Sequence, residues 1–238
     1  MKPLIIIPTY NEIESIPIAL DGTRRYTDAE ILVVDDNSPD GTGQYVASRA
    51  ASEPSIHLLS RPGKAGLAQA YIAGFRWGIE RGYTHLVQMD ADGSHRPIDL
   101  PRLLARANEA DKPDLVIGSR WIRGGKVVNW PVHRELISRA GNTYIRLLLG
   151  MPYSDITAGF RIYRADTIAR IDLAKITVAG YYWQTDMTER LHAMGCHIVE
   201  IPIIFHERNA GQSKLSGAIF TESLRETTGR GINRLLRR

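Results

Sequence analysis

Short apolar runs alternate with longer amphipathic stretches through the first half of the chain. The runs cover residues 4–7, 31–34, 56–59, 85–89 and 115–118, and the stretches between them cover 12–20, 43–51, 67–80 and 98–108. A near-continuous apolar run predicts a strand buried on both faces, and an apolar repeat near 3.6 residues predicts a helix packed against it. The alternation therefore predicts an α/β fold, a mostly parallel central sheet flanked by helices. The second half is patterned differently. A loop with Gly and Trp spans 122–132, then come a helix over 135–149, a polar segment at 155–161, a helix over 182–194 and a strand over 198–205. A loop at 207–213 leads into a C-terminal helix. With no internal repeat or low-complexity linker, one domain is expected: residues 1–214 as its body and 215–238 as a basic amphipathic extension of it.

Three predicted strand ends carry polar clusters: 8–12, 35–42 and 90–92. In open parallel sheets ligands bind at the carboxyl ends of strands, so one sheet edge is expected to gather this chemistry. Asp90 and Asp92 stand one residue apart behind the run Leu86-Val87-Gln88-Met89. Two such carboxylates can converge on Mg²⁺ or Mn²⁺, which bind through one or two carboxylates plus substrate phosphates. Ser94 is placed to add a neutral oxygen. The pattern suggests a nucleotide-sugar donor. Of Asp35 and Asp36, one is expected to brace the turn before Gly41 and Asp36 to meet a base or ribose.

Basic residues supply the complementary charge. Residues 61–66 do not match the Gly-x-x-x-x-Gly-Lys-Ser/Thr phosphate loop, which excludes that class of nucleotide hydrolase. A basic loop beside the donor and an ordinary surface loop both remain open there. Arg120 follows another strand end. Arg134 and Ser138 share a helix face, and a guanidinium fork suits phosphate oxygens. Arg208 and Lys214 flank Gly211 just before a helix, an arrangement suited to clamping an anion.

Composition narrows the classes. Hydrophobic residues make up 43% and charged residues 24% of the 238, ordinary globular values, with a net charge of +4. That balance suits phosphate ligands or an anionic surface. The chain lacks a basic stripe interleaved with aromatics, so no nucleic-acid partner is expected. Cys196 is the single cysteine, and the seven histidines form no His-x-x-x-His pair, so neither a disulfide framework nor a zinc site is expected. No apolar run reaches the roughly 18 residues of a membrane-spanning helix.

The segments PTYNE (8–12), VVDDNSPDGT (33–42), RPGKAGLAQAY (61–71), DAD (90–92), GSR (118–120), DITAGFR (155–161) and FHERNAGQSK (205–214) occur in this order over nearly the whole chain. Together they resemble the inverting GT-A enzymes of glycosyltransferase family 2, and within them the dolichol or polyprenol phosphate mannose synthases. The resemblance implies a GT-A fold and transfer of mannose from GDP-mannose to a polyprenyl monophosphate. It implies that Pro8, Tyr10, Glu12, Val34 and Asp36 hold the nucleotide, and Asp90, Ala91 and Asp92 the metal and diphosphate. Arg120, Arg208 and Lys214 would bind the donor, and Arg134 with Ser138 the lipid phosphate. Asp92, Arg134, Arg208 and Lys214 are thus the expected catalytic set, and Asp90, Asp92 and Ser94 the metal shell. Ser94 stands where some relatives have Gln, and Asp186 lies where related transferases place an acidic residue. A related transferase using a UDP-sugar and a non-catalytic sugar-nucleotide binder remain as alternatives.

A lipid acceptor brings the chain to a membrane. Two segments are candidates for that contact: residues 143–149, and the tail bearing Arg225, Arg230, Arg234, Arg237 and Arg238. A cytoplasmic protein peripherally associated with the cytoplasmic membrane face is expected. An ordinary packed helix, or a contact with a membrane-anchored protein partner, is the alternative for either segment.

Overall fold

The computed structural model describes residues 1–176, 178, 182–207 and 225–232. In chain order its strands and helices are β1 (Pro3–Thr9), α1 (Ile16–Tyr26), β2 (Glu30–Asp35), α2 (Thr42–Ser52), β3 (Ile56–Ser60), α3 (Leu67–Glu80) and β4 (His85–Gln88). Then follow α4 (Leu100–Ala107), β5 (Leu115–Ser119), β6 (Lys126–Val128), α5 (Val132–Leu149), β7 (Arg161–Arg164), α6 (Ala165–Ile168), α7 (Tyr182–Ala193), β8 (Ile198–Pro202) and β9 (Ile204–His206).

Seven strands form one sheet in the order β3-β2-β1-β4-β7-β5-β8. All neighbours are parallel except β7, which runs antiparallel to both β4 and β5. Strand period divides each apolar run between two cores. Leu4, Ile6, Leu32, Val34 and Leu86 face α3, with Trp183 and Met187 of α7 in the same cluster. Ile5, Ile7, Ile31, Val33 and Val87 face Ile16 and Leu20 of α1 and Leu100 and Leu103 of α4. Both faces are covered, which is why these strands read as continuous apolar runs.

Several expectations are corrected. The helix expected over 12–20 begins at Ile16, with Pro17 in its first turn, where a missing N–H costs nothing. The loop expected over 122–132 contains β6, and part of 155–161 belongs to β7. The strand expected over 198–205 is two strands. Pro202 ends β8, and Ile203 donates its N–H to the Ser119 carbonyl at 3.0 Å. The chain then crosses to a second sheet, where β9 pairs in parallel with β6. Residues 225–232 are helical, whereas 208–224 and 233–238 of the expected loop and extension lie outside the described residues.

α3 sits unusually close to the sheet through Gly74 and Gly78, one turn apart. A Cβ at Gly74 would lie 2.6 Å from Ile6 Cγ2, and one at Gly78 would lie 2.7 Å from Leu86 Cδ2. Gly74→Val should therefore destabilise the fold by about 1–3 kcal/mol through overpacking. Urea unfolding measures it, and an unchanged midpoint would show that the close approach is not required.

Candidate active site

The carboxyl ends of β1, β2 and β4 lie together because the three strands are adjacent and parallel. At the β2 end the two aspartates divide their duties. Asp35 is 3% exposed and is consumed by local bonds. Its Oδ1 accepts from Thr9 Oγ1 at 2.9 Å and Ser38 Oγ at 2.6 Å, and its Oδ2 from the Ser38 N–H at 3.0 Å. Asp35 thereby ties β1 to the turn after β2.

Asp36 points to a different partner, the basic loop after β3. Its Oδ1 accepts from Arg61 Nη1 at 2.6 Å and its Oδ2 from the Ala65 N–H at 3.4 Å. Lys64 of the same loop places its Nζ 4.5 Å from the ring centroid of Tyr10. The loop at 61–66 therefore stands against Asp36 and Tyr10, a placement its spacing left undecided. The Glu12 N–H donates to Thr42 Oγ1 at 3.0 Å, while Glu12 Oε2 accepts from Ser15 Oγ at 2.6 Å. Val34 is fully buried, and Pro8 pairs with it in register.

At the β4 end, Asp90 is half-buried and Asp92 is 7% exposed. Asp90 Oδ1 accepts from Tyr71 Oη at 3.1 Å, and its N–H donates to His95 Nδ1 at 2.9 Å. That bond makes Nδ1 an acceptor, so the proton of a neutral His95 ring sits on Nε2. Burial, and then Asp90 itself, holds the Tyr71 phenol well above its ordinary pKa, so it remains a donor. Asp92 Oδ1 accepts from the Ser94 N–H at 3.0 Å across the turn at Gly93, whose φ is 78°. Ala91 is buried between the two.

The Oγ of Ser94 is buried without a hydrogen-bond partner among the described residues. No group of three His, Cys, Asp or Glu suited to a metal occurs among those residues. Two carboxylates and one unsatisfied hydroxyl make an incomplete, all-oxygen donor set. That fits a hard cation whose remaining ligands come from phosphate and water, and does not fit an all-protein cage.

A second group of residues forms around α5. Arg120, at the β5 end, gives Nε and Nη2 to the two oxygens of fully buried Asp155 at 2.8 and 2.7 Å. Its Nη2 also reaches Thr157 Oγ1 at 3.0 Å. Thr157 in turn accepts from Asn142 Nδ2 of α5 at 2.9 Å. Arg120 is thus a buried brace linking β5, the 155–161 segment and α5. Arg134 lies 4.0 Å over the Trp130 ring and donates from Nη1 to Glu207 Oε1 at 2.9 Å. Ser138, one turn on, is half-buried. Arg208 and Lys214 lie outside the described residues.

Three residues matter more than the sequence patterns indicated. His95 stacks on Phe160 at 5.0 Å and holds the Asp90 backbone. Arg161 is fully buried, and donates to the carbonyls of Ala158, Ile156 and Gln184 and to Thr188 Oγ1. Asp186 is fully buried and ion-paired to Arg190 at 2.6 Å and Arg230 at 2.7 Å, so it is a latch between α7 and the helix at 225–232. These pairings join segments far apart in the chain, and a lone Arg or His carries no local signal of them.

The sequence profile of glycosyl transferase family 2 matches residues 4–171. The chain belongs to this family. This family 2 glycosyltransferase is 55% identical over 233 residues to the undecaprenyl-phosphate mannosyltransferase of Micrococcus luteus, covering 98% of this chain and 95% of that protein. It is 46% identical to the polyprenol monophosphomannose synthase of Mycolicibacterium smegmatis, covering 97% and 87% respectively. Among solved structures, the glucosyl-3-phosphoglycerate synthase of Mycobacterium tuberculosis with Mn²⁺, UDP-glucose and phosphoglyceric acid superposes with a TM-score of 0.70 at 17% identity, covering 97% of this chain and 79% of that one. A mannosyltransferase from Pyrobaculum calidifontis, in complex with GDP-mannose and Mn²⁺, gives 0.62 at 17% identity, covering all of this chain and 64% of that one. These likenesses establish the GT-A fold.

The glycosyltransferase's rim has a measurable cost. Burial raises the Asp36 pKa despite the opposing pull of Arg61. A carboxyl raised on folding favours the folded state below its ordinary pKa and loses that contribution as pH rises through the folded value. Asp36→Asn removes this titration. Relative to the parent, the variant's stability should improve as pH rises from below the ordinary carboxyl pKa of about 4 toward neutrality. Parallel stability curves over that interval would contradict the assignment.

Proposed function

We propose that the protein transfers mannose from GDP-mannose to a polyprenyl monophosphate, inverting the anomeric centre to give a β-mannosyl phospholipid. The observation that carries this reading is the placement of Asp90 and Asp92, with the unsatisfied Ser94 hydroxyl, on the same strand edge as Asp36 and Tyr10. The substrates stated for the Micrococcus and Mycolicibacterium relatives support the acceptor.

In this reading Asp36, Tyr10, Glu12, Pro8 and Val34 border the nucleoside, with Arg61 against Asp36 and Lys64 against Tyr10. Asp90 and Asp92, with Ser94 alongside, hold Mg²⁺ or Mn²⁺, which when bound offsets charge on the diphosphate leaving group. Arg134 and Ser138 aim the acceptor phosphate. A phosphate oxygen forms the new bond to the anomeric carbon while the bond to the GDP oxygen breaks, and the electron pair leaves with GDP. With a second phosphate pKa near about 6, the nucleophile is already anionic at neutral pH. No general base is required, which agrees with the ion-paired state of Asp186. Arg208 and Lys214 join the diphosphate side on sequence grounds. Arg134 is held by Glu207 in the structure, so an acceptor phosphate takes over that guanidinium as it binds.

No helix among the described residues is long and apolar enough to cross a membrane. The proposed acceptor places the enzyme at a bilayer surface, on the cytoplasmic side where it meets its nucleotide sugar.

The direct test incubates the protein with labelled GDP-mannose, polyprenyl phosphate and Mg²⁺ or Mn²⁺, beside a parallel reaction with labelled UDP-glucose. Label should enter the organic phase from GDP-mannose; entry from UDP-glucose alone would reassign the donor. Asp92→Ala should lower turnover about 100-fold or more while leaving thermal unfolding unchanged. Full turnover by that variant would remove Asp92 from the site. Arg134→Ala should raise the KM for lipid phosphate roughly 10- to 100-fold with little change for GDP-mannose. An equal rise for both substrates would remove Arg134 from the acceptor site.

A further inference from the structure

Arg134 and the carboxylates of Asp90 and Asp92 stand on different segments of the chain, and β9 joins those segments. It pairs in parallel with β6, with Phe205 opposite Val127. From β6 the chain runs through Trp130 to α5, which begins two residues later at Val132. β9 also reaches the turn after β4, where the His206 N–H donates to the Ser94 carbonyl at 3.4 Å.

The Phe205 side chain makes the same connection. Its ring meets those of Trp130 and His95, each with centroids 5.6 Å apart and the planes inclined at 85° and 73° respectively. Neither contact ends there. Arg134 lies 4.0 Å over Trp130, and His95 Nδ1 accepts the Asp90 N–H at 2.9 Å. His95 is fixed further by Phe160, on which it stacks with the ring planes 16° apart. The Arg120 guanidinium stands 5.3 Å from the Phe205 ring. One phenyl ring therefore touches the supports of both Asp90 and Arg134, and the Arg120 brace as well.

Aromatic quadrupoles favour edge-to-face contact at centroid separations of roughly 4.5–7 Å. A ring held by two such contacts keeps one orientation, and an aliphatic side chain in its place does not. The reaction gives that rigidity a purpose. A nucleophile and its target react efficiently only when aligned about 3–3.5 Å apart, and a misplacement of about 1 Å costs about 100-fold. With the donor held at Asp90 and Asp92 and the acceptor phosphate at Arg134, the separation of the two anchors is set by the groups that support them.

We propose that Phe205 is a positioning residue for the transfer: through Trp130 and His95 it sets the distance of Arg134 from the Asp90 and Asp92 carboxylates, and it touches neither substrate. This rests on the assignment of the two aspartates to the donor and of Arg134 to the acceptor. Phe205 also packs against the core on the α1 side of the sheet, so the test must separate positioning from simple support.

Phe205→Leu keeps an apolar side chain and removes the ring, and Phe205→Tyr restores the ring. With rates referred to the folded fraction, the Leu variant's kcat should fall about 10- to 100-fold while its KM for GDP-mannose and for lipid phosphate stays as in the parent. The Tyr variant should recover the parent rate. A second measurement, by NMR, needs neither substrate nor metal. Amide exchange at Asp90 should be at least ~10-fold faster in the Leu variant, because His95 holds that N–H less firmly, with exchange at Val33 in the core of β2 unchanged. The Arg134 Nε–H resonance should shift in the same variant, and both signals should return in the Tyr variant. If Phe205→Leu does not fold, Phe205→Met, which fills more of the ring's volume, carries the same measurements. A parent-like kcat in the ring-deleted variant overturns the proposal, as does a change confined to one KM or to one of the two NMR signals. If the parent transfers no mannose, movement of both signals upholds Phe205 as the link between the two supports and the failure falls on the catalytic reading alone; unmoved signals overturn the proposal itself.

Discussion

Asp90 and Asp92, one residue apart at a partly buried sheet rim, are each held by a donor, and the rest of the candidate site is arranged around that pair. Tyr71 donates to one, the Ser94 N–H donates to the other, and His95 Nδ1 accepts from the Asp90 N–H. The two donors are neutral. They position the pair of oxygen ligands that the proposed reading assigns to a divalent cation and its phosphates. The parallel register of β1, β2 and β4 then sets Tyr10 and Asp36 on the same rim.

The proposed acceptor side is positioned by a different kind of contact. Arg120 and Asp155 form a buried, bidentate ion pair. Such pairs contribute little net stability against an apolar alternative, but breaking one is costly, so they fix geometry more than they stabilise. Through Thr157 and Asn142 this pair fixes the rotation of α5 about its axis. That rotation turns Arg134 and Ser138, both partly buried, toward the protein. One network thus orients the residues proposed to meet the acceptor phosphate.

Much of the donor half was legible from sequence because its strands are buried on both faces and its polar clusters follow them directly. The bounds of α3 were readable to the residue, since its apolar period is uninterrupted. β7 was not, because Arg161-Ile162-Tyr163-Arg164 is short and charged at both ends. Its Arg161 is buried by carbonyl partners from α7 and the preceding loop, a solution only tertiary structure reveals. That one aspartate braces the turn after β2 was legible, and the contacts with Thr9 and Ser38 show it to be Asp35, while the Arg61 partner of Asp36 carried no local signal. The tail read as cationic and amphipathic, yet its Arg230 serves an internal ion pair. Residue type announces charge, but not which charge is already answered.

The most direct test of the central claim is the position of Mn²⁺ in crystals grown with GDP, read from anomalous scattering at the manganese edge. A single peak between the Asp90 and Asp92 carboxylates and the diphosphate oxygens is the predicted result. A peak elsewhere, or an ordered diphosphate with no manganese at those carboxylates, would contradict the account.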